Sequence, residues 1–219
     1  MSAHHADLID QVLSITPGSR LDALRRHREV ARNNIQAAYV ALFQPVDASQ
    51  ISLLDRLAVA SFVTGVQAQL VLADHYAHSL LVADGGSALA ATITSEIERG
   101  LTEGPYGSYP AGPLSGEDKS GLHYSVADDS RAILGPRLSA ALEHAHLLVF
   151  RPRDASRQHL EALLDAGWST PAIVTLSQLV AYLAFQVRIV DGLAAIAATS
   201  ETAVAANSQP APLAAAANS

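Results

Sequence analysis

The stretch from Val66 to Leu80, VQAQLVLADHYAHSL, sets Asp74, His75 and Tyr76 side by side and follows them with His78. An imidazole with a pKa of about 6.5 can take or give a proton at neutral pH. A tyrosine can donate a proton or a hydrogen bond to a developing oxyanion. Read as one continuous helix, the stretch places Gln69, Leu72, His75 and Tyr76 at i, i+3, i+6 and i+7, along one face. A small-molecule pocket against that face is geometrically natural. The plainer reading is a core histidine with one hydrogen bond beside a packing tyrosine. His75 and His78 at i, i+3 also invite a metal, but such a pair needs further ligands from elsewhere. His123, His144, His146 and His159 are available, yet no spacing ties them to it, and neither a metal nor a cofactor is expected. In LEHAHLL, His144 and His146 lie two residues apart on a helix, so at most one is expected to point inward.

The elements that carry these residues read as helices throughout. Leu8, Ile9, Val12 and Leu13 have helical spacing, Pro17 and Gly18 stop that segment, and Ser19 is placed to cap the next. Arg20 to Phe43 suits one long helix or two abutting ones, and its RLDALRRHRE start reads as a solvated basic face, with an anionic ligand as the second reading. QPVDASQ is a turn in which Asp47 or Ser49 is expected to cap a helix running from about Ile51 to Leu81, with Gly65 at a close helix crossing. A further helix closes at Gly100. From Gly104 to Gly121 three prolines and five glycines make a long loop, a functional segment or a subunit contact, in which Glu117 and Asp118 are read as solvated. Three more helices follow, with Gly167 as a C-cap and Ser169-Thr170-Pro171 as a restart. No period-two strand pattern occurs, so the class is all-α. The expected division is an N-terminal helical segment over 1–50, a helical core over 51–198 and a flexible, Ala-rich tail over 199–219. His4 and His5 are expected to be exposed terminal residues.

Composition narrows the function classes. A net charge of −7 argues against a general field for nucleic acid or anionic membrane. The absence of cysteine removes thiolate metal sites, disulfides and thiol nucleophiles together. No cationic start with an apolar core opens the chain, and Gln186, Arg188 and Asp191 interrupt its most apolar run, so a cytoplasmic protein is expected.

Two segments resemble a known family. LLDRLAVASFVTGVQAQLVLADHYAHSL is similar to the core helix of the carboxymuconolactone decarboxylase family, in its alkylhydroperoxidase D-like, peroxidase-related branch. That helix reads as an acidic-Arg start, an apolar stretch, a small polar-Gly step, then Cys-x-x-Cys-x-x-His-His. LEALLDAGWSTPAIVTLSQLVAYLAFQVRIVDGL resembles the branch's closing pattern, Arg188 and Asp191 matching its Arg-x-x-Asp-x-Leu end. The resemblance spans roughly residues 51–196 and implies an alkylhydroperoxidase D-like helical bundle. Gln69 and Leu72 stand at the two cysteine positions, His75 at the first histidine and Tyr76 at the relay histidine. The family's glutamate falls near Leu57, with Asp55 the nearest acid. A thiol-cycling peroxidase is therefore excluded.

The resemblance also implies a possible chemistry, since the wider family contains cofactor-free decarboxylases of lactone acids. On that reading His75 is the base or acid, Tyr76 a donor, and Gln69, Leu72, Arg56 and Asp55 line or orient a small carboxylate or lactone. The alternative is a non-catalytic binding subunit, or a partner of a cysteine-containing relative. Family members assemble as trimers or hexamers, so a homo-oligomer is expected. A metal-dependent enzyme using His75 and His78 is the third reading. Arg188 and Asp191 are expected to pair or to hold a neighbouring helix end.

Overall fold

The computed structural model describes residues 7–207, with side chains as far as residue 199. Among these it forms α1 (Leu8–Val12), α2 (Arg20–His27), α3 (Glu29–Phe43), α4 (Leu53–Val66), α5 (Leu70–Val82), α6 (Gly86–Gly100), α7 (Asp128–Phe150), α8 (Arg157–Asp165) and α9 (Thr170–Asn207). Two short 3-10 turns lie at Pro113–Glu117 and Pro152–Asp154. The described residues contain no strand, only one antiparallel bridge between Gly107 and Lys119. The class is all-α.

Two helices make the interior. Every residue of α4 from Arg56 to Val66 is buried, because α5, α6, α7 and α9 all pack around it. A helix covered on all sides must be apolar or small all round, and Ala58, Val59, Ala60, Phe62 and Val63 meet that demand. The second inner helix is α7, held between α4 and α6 on one side and α8 and α9 on the other. Leu8, Ile9 and Phe43 join the same core. At Gly65 a Cβ would lie 2.6 Å from Ile97, so the close crossing expected there is that of α4 against α6.

The single helix expected from about Ile51 to Leu81 is two. Its capping residue is Ser52, whose Oγ accepts from the Asp55 amide, not Asp47 or Ser49. The break falls at Gln67-Ala68-Gln69, where Ala68 takes a left-handed φ of 54°. Gln69 then caps α5, its Oε1 accepting from the Leu72 amide at 3.1 Å. No Gly or Pro marks the turn in sequence. Folding α5 back onto α4 buries Leu72, Tyr76 and Leu80, and that burial offsets the cost of about 1–2 kcal/mol for one left-handed alanine.

Other boundaries follow the sequence more closely. Ser19 caps α2, accepting from the Asp22 amide, and the Arg20–Phe43 stretch divides at Arg28. Gly167 has the positive φ (91°) of a helix C-terminus, and Ser169 Oγ accepts from the Ala172 amide as α9 restarts. Asp191 does hold a neighbouring helix end, accepting from Gln69 Nε2 at 2.9 Å, while Arg188 donates to the Ala184 carbonyl of its own helix. α7 starts at Asp128 and kinks at Gly135-Pro136. α9 continues through residue 199 to Asn207. Its Thr170–Thr199 part is long and apolar enough to cross a membrane by length and composition, a length not expected from the sequence. Its inner stripe, including Leu176, Leu179, Leu183 and Val190, is nevertheless packed in the protein core. His4, His5 and residues 208–219 lie outside the described residues.

The basic face of α2 is also corrected. Arg25 is buried, paired with Asp7 at 2.9 Å and with Asp10. Arg32 reaches Asp10, and Arg26 pairs with Asp22. The acids that answer Arg25 come from α1 and its N-cap, so the sequence of α2 alone did not show them, whereas Arg26 is answered within α2 and Arg28 stays exposed.

Candidate functional site

The side chains of the Val66–Leu80 stretch are committed to structure in several ways. Leu72 and Tyr76 are fully buried. The Tyr76 hydroxyl donates to Gln186 Oε1 at 2.8 Å, and its ring stacks on Phe43 at 5.2 Å. Burial pushes the Tyr76 hydroxyl well above its ordinary pKa, so it keeps its proton. Gln186 itself is buried, and its Nε2 has no partner. Gln69 is spent between capping α5 and bonding Asp191. His75 is half-buried with its ring edge-on to Tyr76 at 5.0 Å, and burial, then the charge of His78, lowers its pKa. Arg56 is buried beneath the start of α4, its Nε donating to the Ile51 carbonyl and Nη1 to Leu42. Asp55 faces elsewhere, 4.0 Å from Arg137 Nε in a shallow polar cleft with Ser49, Gln50 and Ser169. The structure thus brings Leu72, His75 and Tyr76 together and leaves Asp55 apart. Among the described residues no three or more His, Asp or Glu are grouped to hold a metal.

The histidines that sequence spacing could not connect border a common cleft instead. A cleft of about 220 Å³ opens between α7, α8 and the segment before α7, and His123, His144, His146 and His159 all line it. Ala140, Glu143, His144, Leu147 and Arg151 are spaced i, i+3, i+4, i+7 and i+11, so α7 supplies one continuous wall. α8 adds His159, Ala162 and Leu163, and the preceding segment adds His123, Tyr124 and Ser125. His144 and His146 are both buried, at 6% and 1% exposure, which corrects the expectation that only one would point inward. They do leave the helix in different directions. But α7 is flanked on both sides, so each direction leads into protein.

Their neighbours fix their tautomers. Ser177 Oγ lies 2.9 Å from the Ile173 carbonyl and 3.2 Å from His144 Nε2; with its one proton on the carbonyl, it accepts from Nε2. Nε2 of His144 therefore carries the proton, and its Nδ1 is a buried lone pair without a partner. His146 Nε2 lies 3.0 Å from the Gly100 carbonyl, which also only accepts, so its Nδ1 is again the basic nitrogen. Burial, then the charge of His159, holds His144 at a pKa of about 4. Burial lowers His146 as well, opposed by the Gly100 carbonyl and assisted by Arg151. Both imidazoles are neutral at pH 7.

The rest of the cleft is braced. Tyr124 stacks on His146 at 4.7 Å and donates to the buried Glu96 at 2.6 Å; burial first, and then this Glu96 carboxylate, holds its pKa far above the ordinary range. Glu143 accepts from the Val126 amide at 3.0 Å and from Arg131 at 2.5 Å. Arg151 ties the loop down, donating to Asp154 and to the Gly121 carbonyl. The Gly104–Gly121 loop is thus anchored to the end of α7, with Tyr106 N donating to the Phe150 carbonyl. Within it the exposed Asp118 accepts from the Tyr109 amide and closes the loop on itself. The HxH pair in LEHAHLL was the only sequence signal for this cleft, and its two-residue spacing argued against it.

Comparison with known proteins adds no relative. No family model matches the chain, and neither a curated protein nor a solved structure shows significant similarity to it.

Proposed function

We propose that the chain is a thiol-free relative of the carboxymuconolactone decarboxylase family, with an alkylhydroperoxidase D-like bundle. It binds a small carboxylate or lactone acid in the histidine cleft and moves a proton on it without a cofactor. The observation that carries this reading is the unpartnered Nδ1 of His144, a buried acceptor in a residue that lines a cleft. Buried polar atoms are nearly always hydrogen-bonded, and an exception calls for a ligand or a role. An imidazole whose pKa is held low by burial is a weak base alone. A substrate carboxylate beside it offsets that penalty and raises its proton affinity, which favours negatively charged substrates. On a lactone acid with a β,γ double bond, His144 Nδ1 takes the proton from the carbon between the carbonyl and the double bond, leaving a dienolate. The imidazolium returns that proton to the γ carbon, the double bond moves into conjugation with the carbonyl, and the sum is an isomerisation.

Proton NMR in D2O on a panel of small lactone acids tests this. The protein should accelerate loss of the α-proton signal, and His144→Gln should slow it by about 10²-fold or more while His75→Gln retains it. Failure to exchange any member, or equal rates for His144→Gln, would sink the proposal. A second reading, a partner or self-assembling subunit, is favoured by the outer face of α5, where Leu70, Val71, Leu81 and Val82 are exposed. Sedimentation of the wild type against Leu81→Asp decides it: an unchanged monomer in both rejects self-assembly.

A further inference from the structure

A second cleft, independent of the histidines, lies where the α2–α3 corner meets α9. Leu24, Ala31, Ile35, Ile189 and Leu193 give it an aliphatic lining, and Arg25, Arg28 and Arg32 complete it. It contains no aromatic ring and no carboxylate. Arg25 and Arg32 are pinned by Asp7 and Asp10, so their stems form wall and their charges are already answered. Arg28 differs. It is exposed at the break between the two helices and has no ion-pair partner among the described residues. A groove of aliphatic side chains with one unanswered guanidinium at its edge is complementary to an amphiphile with a single negative head.

We infer that this groove binds a free aliphatic carboxylic acid, its carboxylate on Arg28 and its chain along Leu24, Ile35, Ile189 and Leu193. The groove, of about 270 Å³, is open along one side and admits a short aliphatic chain, so octanoate is a suitable probe of it. The guanidinium fork matches a carboxylate bidentately, which a cationic or neutral head cannot exploit.

The test is methyl NMR on the full chain, titrated with octanoate, 1-octanol and octyltrimethylammonium below their micelle-forming concentrations. Octanoate should bind saturably at one site, shifting the methyls of Leu24, Ile35, Ile189 and Leu193. Octanol should bind about tenfold more weakly, and the cation not measurably. Arg28→Gln should weaken octanoate about tenfold and leave octanol unchanged, the undisturbed methyl spectrum of this surface variant showing that it folds. The inference is overturned by equal octanoate affinity in Arg28→Gln, by octanol matching octanoate, or by shifts confined to other methyls. Shifts that follow protein concentration with no ligand present would overturn it too, by assigning the groove to a second copy of the chain.

Discussion

Acidification should expose the cost of burying His144. Its folded pKa of about 4 lies below the 6.5 of a free imidazole, so between these values the unfolded chain binds the proton and the folded one does not. The stability this contributes is present above pH 6.5 and is lost as the pH falls toward 4. From those two values, one such group accounts for about 2 kcal/mol of the stability lost between pH 7 and pH 5. For a chain of this size that is a fall in melting temperature of about 4–8 °C. Burial also lowers the pKa values of His75 and His146, so they add to the loss in the same direction. The comparison that isolates His144 is therefore a double difference. Urea unfolding of the wild type and His144→Gln is measured at pH 7 and at pH 5. Glutamine keeps an N–H for Ser177 and has no proton to gain. His144→Gln should be less stable than wild type at pH 7, through lost packing, yet lose about 2 kcal/mol less on going to pH 5. An identical pH dependence in the two proteins would refute the reasoning, because it would mean that His144 is solvated or already protonated in the fold.

Three substitutions probe the scaffold. Gly65→Ala should destabilise by about 1–3 kcal/mol through contact with Ile97, and adding Ile97→Ala should make the pair less destabilised than the sum of the singles in a urea double-mutant cycle. Tyr76→Phe leaves the buried Gln186 carboxamide with no partner and should cost about 1–3 kcal/mol; Tyr76→Phe with Gln186→Leu, both ends apolar, should be more stable than Tyr76→Phe alone by thermal melting. Ala68→Gly should raise the unfolding free energy by about 0.5–1 kcal/mol, because only Ala68 pays for the left-handed turn between α4 and α5.

What could be read in the sequence was what short-range chemistry determines. The helical periods, the Ser19 cap, the glycine that ends α8 and the proline that follows it are local signals, and they place real boundaries. The turn at Ala68 was not legible because Val66-Gln67-Ala68-Gln69 carries no breaker, and the packing of α5 on α4 imposes it from outside. The pairing of Arg25 with Asp7 and Asp10 was hidden for the same reason, since partners in different helices meet only once the helices do. The histidine cleft is the clearest case. Helical geometry correctly sends His144 and His146 to different sides of α7, but whether a side is interior depends on what flanks it, and α7 is flanked on both.

The most direct test of the account is side-chain nitrogen NMR of the histidines as a small lactone acid is added at pH 7. The expected result is a neutral His144 with its proton on Nε2 and an Nδ1 resonance that shifts on titration, with His146 following and His75 unmoved. An Nδ1 signal of His144 indifferent to every acid tried, with His75 responding in its place, would contradict the account and return the site to α5.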